Sequence, residues 1–544
     1  MSAGVKLSSV DGSFLYLETP ETPMHVGSMA IFKLPDNYKG DFFEEFKAQI
    51  QARLHLAPVL RWKLERTPLD IDNPSWVEDE QFDIDRHIFR ASLAAPHDRA
   101  TLERIVGWMH AKLLNRARPL WEFYVFEGMA NNEVGLYSKM HHALIDGGAG
   151  AALTEIVYGD GHVAQMESKK DEKKNDPLGE LFTGYASLWA RPLGWTAQGK
   201  LPDILTGKRQ DLGSILMDGF ARQLRQPFEY MKALPEVAKA LSSVAGKLRE
   251  GGVQGLKDAV APSTPLNKSV SSERSFAAVS VSMSRCKAVA AASGGKLNDV
   301  VMALSSGMLR RYLQKVNALP DRPLRAAVPI SLREAGNSEA NNQVFGMICS
   351  LASDIADPKE RLAKIIEESK KSKGMADPFK PIVPKMTQFS ALGAPIFIQI
   401  LSLLYSRTNL ADVMPTPANV TISNVPGSRK PLYVAGAELQ HIFPVSIAAH
   451  GLALNITVQG YRDQLDFGLI AGANVLPELR SLANMLPEEL EALEQTYGLS
   501  APAGEVVTMK AAEAPAPAKT RSGDKPARKR KAAPKATTTG SAAG

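Results

Sequence analysis

Residues 133–150 read EVGLYSKMHHALIDGGAG, and no other stretch constrains the chain as strongly. Its first ten positions have the alternation of a strand. Leu136, Ser138, Met140 and His142 therefore share one face, and Tyr137, Lys139 and His141 the other. The adjacent histidines point apart, which disfavours two ligands converging on one metal ion. The pattern predicts instead one working histidine, His142, at the end of the strand. Gly147, Gly148 and Gly150 then permit a tight turn and a close backbone approach at the start of a helix. Asp146 falls in that turn, where an arginine partner would lock the loop that carries His142.

Strand and helix patterns alternate around this motif. "HVGSMAIFKL" has the period of a strand, and "FFEEFKAQIQARL" and "LERIVGWMHAKLLNRA" have that of helices. Residues 165–178, "QMESKKDEKKNDPL", form a charge-dense break, and residues 179–260 read as mostly helical. From about residue 272 the mixed pattern returns, with strands at "RSFAAVSVSMS", "LRAAVPISL", "VFGMICSLAS", "ANVTISNV", "LALNITVQG" and "QLDFGLI". Helices are expected at "NDVVMALSSGMLRRYLQKV" and "LPEELEALEQTYG". The predicted organisation is α/β: an N-terminal half over 1–164, a linker and helical connector over 165–270, a C-terminal half over 271–498 and a tail over 499–544.

Of 544 residues, 64 are Lys or Arg and 58 are Asp or Glu, for a formal charge of +6. Residues 501–544 hold nine of the basic and three of the acidic residues, so the tail accounts for all of that excess. The rest carries 55 of each sign, which argues against a nucleic-acid-binding body. The tail has almost no large apolar side chains and cannot bury enough surface to fold. Cys286 and Cys349 lack metal-ligand spacing, and the opening "MSAGVKLSSVDGS" has no leader pattern, so a cytoplasmic location is expected. The uncharged run at residues 386–406 is interrupted by Pro395 and reads as a buried or interfacial helical segment rather than a membrane span. "GWTAQGKL" fits a phosphate-loop spacing but lacks the Ser or Thr that would hold Mg²⁺. "DFG" at 466–468 lacks the other kinase elements, and no GxSxG nucleophile elbow is present.

HHxxxDG resembles the signature of the two-domain, coenzyme-A-dependent acyltransferases, a superfamily that includes chloramphenicol acetyltransferase and the condensation domains of peptide synthetases. A closer resemblance, over residues 7–485, is to the bacterial wax ester synthase/diacylglycerol acyltransferase family. It rests on "LSSVDGSFLYLETPETPMHVGSMAIF", "RPLWEFYVFEG", "MHHALIDGGAG", "LNDVVMALSSGMLRRYL", "AVPISLR", "TISNVPGS" and "HGLALNITVQGYRDQLDFGLIAG". The connector and tail carry no matching motif.

The resemblance implies two chloramphenicol-acetyltransferase-like halves with the substrates meeting between them. It implies that His142, as general base, takes the hydroxyl proton of a long-chain alcohol or diacylglycerol, whose oxygen attacks the thioester of acyl-CoA. His141 would support, and Asp146 and Gly147 would shape the turn. Asn298 is either an oxyanion support or simply a helix N-cap, with Asp299 a first-turn carboxylate. The partner expected for Asp146 is Arg61, in "APVLRWKLER", or else Arg333, in "PISLR". Leu120 and Trp121 would shape the wall beside the motif strand, and Asn424 to Gly427 would form a turn near the domain junction. His25 and His450 read as structural. No bound cofactor or metal is expected, since acyl-CoA is a co-substrate. Peripheral association with a membrane or lipid inclusion is expected from the substrates. The competing readings are a condensation-type or polyketide-associated acyltransferase, which the lack of a carrier segment disfavours, and an inactive lipid-binding or lipid-droplet protein, which the intact motif disfavours.

Overall fold

Two six-stranded sheets carry the site in this computed structural model, which describes residues 5–66, 73–144, 153, 156–159, 260–331, 344–376 and 395–499. The N-terminal half contributes β1 (Val5–Lys6), α1 (Ser9–Leu17), β2 (His25–Lys33), α2 (Phe42–Arg53), β3 (Trp62–Glu65), β4 (Ser75–Glu78), β5 (Ile88–Ser92), α3 (Arg99–His110), β6 (Trp121–Met129) and β7 (Glu133–His141). The C-terminal half begins with β8 (Arg274–Ser282), α4 (Met283–Ser293), α5 (Leu297–Lys315), β9 (Arg325–Ser331), β10 (Val344–Ser350), α6 (Pro358–Ala376) and α7 (Pro395–Arg407). It ends with β11 (Val420–Val425), β12 (Tyr433–Val434), β13 (Ala437–Val445), β14 (Leu454–Tyr461), β15 (Gln464–Gly472), α8 (Leu479–Ala483) and α9 (Met485–Thr496).

Helix starts follow from local chemistry. The side chains of Ser8, Asp41 and Asp98 accept the amides of Asp11, Glu44 and Thr101, capping α1, α2 and α3. Helix α2 buries Phe42, Phe43, Phe46 and Ile50 against the N-terminal sheet. Each such side chain contributes about 1.5–3 kcal/mol on burial. Helix α3 stops at His110, although its apolar pattern continues to residue 117. Tertiary contacts end it: the buried Lys139 ammonium takes the carbonyls of Met109 and Lys112, and the amide of Leu114 turns to His25.

The C-terminal sheet runs β10-β9-β11-β14-β15-β8. The N-terminal sheet runs β12-β13-β2-β7-β6-β5, so two of its strands come from the C-terminal half. Strand β13 pairs antiparallel with β2, with a register irregularity between Leu439 and His441. A Cβ at Gly468 on β15 would lie 1.7 Å from the Pro444 carbonyl oxygen of β13, so only glycine lets these backbones meet so closely. One core cluster joins the halves: Met29, Ile31 and Tyr137 pack with Phe276 of β8, Phe443 of β13 and Ile470 of β15. Leu136 and Met140, on the opposite face of β7, pack in the cluster under α2. The alternation in "EVGLYSKMHH" is therefore realised. Residues 165–259 of the predicted connector, the "GWTAQGKL" segment among them, and the tail beyond Leu499 lie outside the described residues. Among the described residues, no helix is long and apolar enough to cross a membrane.

Candidate active site

Strand β7 delivers His141 and His142 to a turn between neighbouring elements. The His141 amide donates to the Leu120 carbonyl (3.0 Å), the His142 amide to the Met24 carbonyl (2.8 Å) and the Leu144 amide to the His141 carbonyl (2.9 Å). His142 thus sits at a tight turn with both flanks tied to neighbouring backbone. Its imidazole is half-buried and stacks on Phe14 of α1, with centroids 3.9 Å apart and planes 14° from parallel. Trp121, fully buried, hydrogen-bonds the Leu60 carbonyl (2.7 Å) and stacks on His87. The "RPLWEF" segment is therefore the wall beside the motif strand.

The His141 imidazole points to the other face and is fully buried. There it meets a polar cluster that the sequence does not announce. The Glu18 side chain, at the end of α1, is 2 % exposed. One of its oxygens accepts the Met24 amide (3.0 Å) and lies 3.2 Å from His25 Nε2 and 3.4 Å from His141 Nε2. The other accepts from Arg116 Nη2 (2.9 Å), which also donates to the Leu15 carbonyl (2.7 Å). Burial opposes the charge of Glu18, but the adjacent His141 and His25 rings outweigh it and hold the carboxyl well below its ordinary range. Burial pushes His25 down to about 4, against the pull of Glu18 and with the aid of the Lys139 charge. Burial likewise holds His110 well below its ordinary range and lowers Lys139, partly offset by Glu122.

His25 is fully buried but not isolated, since it lies directly opposite His141 in the β2–β7 register. Glu18, Arg116, His110 and Lys139 escape a reading of the sequence alone. One signal exists for them: a lysine at 139, on a strand face otherwise destined for burial, demands polar partners. His450 contacts Ser406 (3.0 Å) and the Val270 amide (3.2 Å). Ser406 in turn binds Glu21 and Thr19, tying α7 to the chain after α1.

Asn298 is the second residue of α5, and the N-cap position belongs to Lys296 rather than to Asn298. Its side chain accepts from Asn424 Nδ2 (2.5 Å) in β11. Asp299 accepts the Lys296 amide (2.8 Å), a first-turn carboxylate as its place suggests. Arg61 forms an ion pair with Glu78 (3.0 Å) and is 44 % exposed. Asp146, Gly147 and Arg333 lie outside the described residues. A Cβ at Gly427 would lie 2.0 Å from the Gly460 carbonyl oxygen, which gives the "SNVPGS" turn a packing reason for its glycine. Asp466, of the "DFG" string, is buried and accepts the Ser280 hydroxyl and the Ile442 amide, holding β15 to β8 and β13.

Two sheets of this topology, with the paired histidines of the HHxxxDG sequence at the end of a central strand, are the fold of the two-halved acyltransferases. The same architecture appears in a condensation domain of the calcium-dependent antibiotic synthetase, at TM-score 0.52 and 11% identity over 91% of this chain and 96% of that one. The solved wax ester synthase/diacylglycerol acyltransferase of Marinobacter aquaeolei VT8 aligns at TM-score 0.61 and 28% identity, over 91% of this chain and 100% of that one. The O-acyltransferase WSD of Acinetobacter baylyi is 32% identical over 494 residues, 90% of this chain and 96% of its own length. A Mycobacterium tuberculosis protein named as a diacylglycerol O-acyltransferase is 33% identical over 495 residues, 91% of this chain and 100% of its own. Residues 7–301 match the wax ester synthase/diacylglycerol acyltransferase catalytic domain, and residues 340–494 match the C-terminal domain of that family. The chain belongs to the wax ester synthase/diacylglycerol acyltransferase family and is an acyltransferase enzyme.

Proposed function

We propose that the enzyme transfers a fatty acyl group from acyl-CoA to a long-chain alcohol, giving a wax ester, or to diacylglycerol, giving triacylglycerol. His142 is the general base. Its imidazole takes the hydroxyl proton as the oxygen attacks the thioester carbonyl, and CoA leaves as the carbon–sulfur bond breaks. The observation that carries this reading is the half-buried His142 ring, stacked on Phe14 and turned away from the face that buries His141. Asp146 is assigned a structural ion pair, with Arg61 or Arg333, and Gly147 the turn beside it. Asn298, held by Asn424 at the start of α5, supports the developing oxyanion in this scheme. The enzyme works at a membrane or lipid-inclusion surface. Leu403 and Leu404 on α7 and Leu410, Val413 and Met414 just after it are exposed, Val413 at 81 %, and offer apolar contact. The basic tail adds attraction to anionic headgroups of about 1 kcal/mol per Lys or Arg near the surface.

Purified enzyme given palmitoyl-CoA with hexadecanol or with diacylglycerol should release CoA, and His142→Ala should lower turnover by about 10²-fold or more with the fold intact. Retained turnover in a folded His142→Ala enzyme would remove His142 as the base. Absence of ester product with both acceptors would remove the substrate assignment.

A further inference from the structure

We infer that Glu18 is a positioning residue for the reaction, fixing the tautomer of His141 so that His141 can hold the turn that carries His142. This rests on the assignment of His142 as general base.

The chain of contacts is short. The Ala143 amide donates to His141 Nδ1 at 3.0 Å. An amide N–H can only donate, so Nδ1 presents its lone pair. The proton of a neutral His141 then sits on Nε2, which faces Glu18 Oε1 at 3.4 Å. The opposite tautomer would set N–H against N–H at Ala143 and a lone pair against the carboxylate. A negative group at position 18 therefore selects the form of His141 that accepts from Ala143, the residue directly after His142. The ring is fully buried, so no water competes to reverse that choice.

Glu18 is itself well held. Arg116, Met24 and His25 surround the carboxylate, and burial without such partners would be costly. Its neighbours also reach His142 from other directions. Glu18 ends the helix whose Phe14 stacks on His142, and Met24 passes its carbonyl to the His142 amide. The Met24 route does not depend on the charge of Glu18, because a glutamine oxygen can still accept that amide. The charge acts on His141 through one oxygen and on Arg116, which also holds α1 at Leu15, through the other.

Glu18→Gln tests this, because it keeps the shape and the Met24 acceptor and removes the charge. It should lower kcat by about 10- to 100-fold, as a displaced catalytic group does, with KM for acyl-CoA within about twofold. In a His141→Asn background the asparagine oxygen can take the place of Nδ1 without needing a tautomer, so Glu18→Gln should add little there. Equal losses in both backgrounds, or a matching rise in KM, would overturn the proposal. Nitrogen-15 spectra of the wild-type histidines give a readout even if Glu18→Gln does not fold: His141 should be protonated on Nε2 alone. Protonation on Nδ1 would overturn it. His142→Ala assayed alongside separates the two ideas. If that variant is inactive while Glu18→Gln keeps wild-type kcat, only the positioning role falls; if His142→Ala turns over normally, the base assignment falls.

Discussion

Acid should weaken this fold through His25 at a pH where most surface groups are unaffected. The ring is completely buried between Glu18, His141 and His110, with the Lys139 charge nearby, and burial holds its pKa at about 4 against an ordinary 6.5. The folded state therefore keeps His25 neutral while the unfolded chain protonates it below pH 6.5. Stability is fully present above 6.5, falls as pH drops through that value and stops falling near 4. The full difference is on the order of 3 kcal/mol, and about 2 kcal/mol of it is lost by pH 5. His25→Gln removes the titration while keeping a polar side chain. Urea unfolding of both proteins at pH 7 and pH 5 isolates the residue, because other groups titrate in both. Glu18 does not confuse the window, since its ordinary value of 4.5 lies below pH 5 and its folded value is lower still. The stability of wild type minus that of the variant should fall by about 2 kcal/mol from pH 7 to pH 5. A difference that stays flat would show that His25 takes up its proton in the folded protein as readily as in the unfolded chain, and that the burial argument is wrong.

Gly468→Ala should place a methyl group against the Pro444 carbonyl oxygen, at a cost of about 1–3 kcal/mol or more, lowering the melting temperature; an unchanged melt would show that β13 and β15 can part freely. Truncation after Leu499, whose side chain still packs on the core, should leave turnover on detergent-dispersed substrate intact and abolish salt-sensitive sedimentation with anionic liposomes. Leu404→Glu with Val413→Asp should weaken liposome binding in both high and low salt; full binding by both altered forms would remove the surface assignment.

Elements whose pattern is complete within one stretch are legible in the sequence. The alternation of residues 133–141 and the apolar period of residues 298–315 each declare one element, and both form within a few residues of the expected bounds. What stays hidden depends on contacts between distant segments. The apolar period from Leu102 to Ala117 suggests one longer helix, but Lys139 and His25 capture its last carbonyls and amide. Strand β13 is not evident because nothing local says that "AELQHIFPV" pairs with β2, about 400 residues earlier. The site divides in the same way. His142 stands out because the whole HHxxxDG string is contiguous. Glu18 does not, because its contacts depend on His25 and His141 meeting across the β2–β7 pairing, and on Arg116 arriving from another loop.

The place of β13 also has a consequence for the order in which the molecule is built. Strand β2 pairs with β7 on one side and with β13 on the other, so one edge of the catalytic sheet stays open until residues 437–445 have been made. An open β2 offers unpaired amides and carbonyls to any passing strand. A ribosome-bound chain that has already produced His142 therefore holds an unfinished and adhesive sheet for some 300 further residues. At ordinary synthesis rates of about 5–20 residues per second, that interval lasts tens of seconds. The last part of the body to emerge thus seals the first, and a fragment ending before residue 437 should aggregate rather than fold as a free N-terminal half.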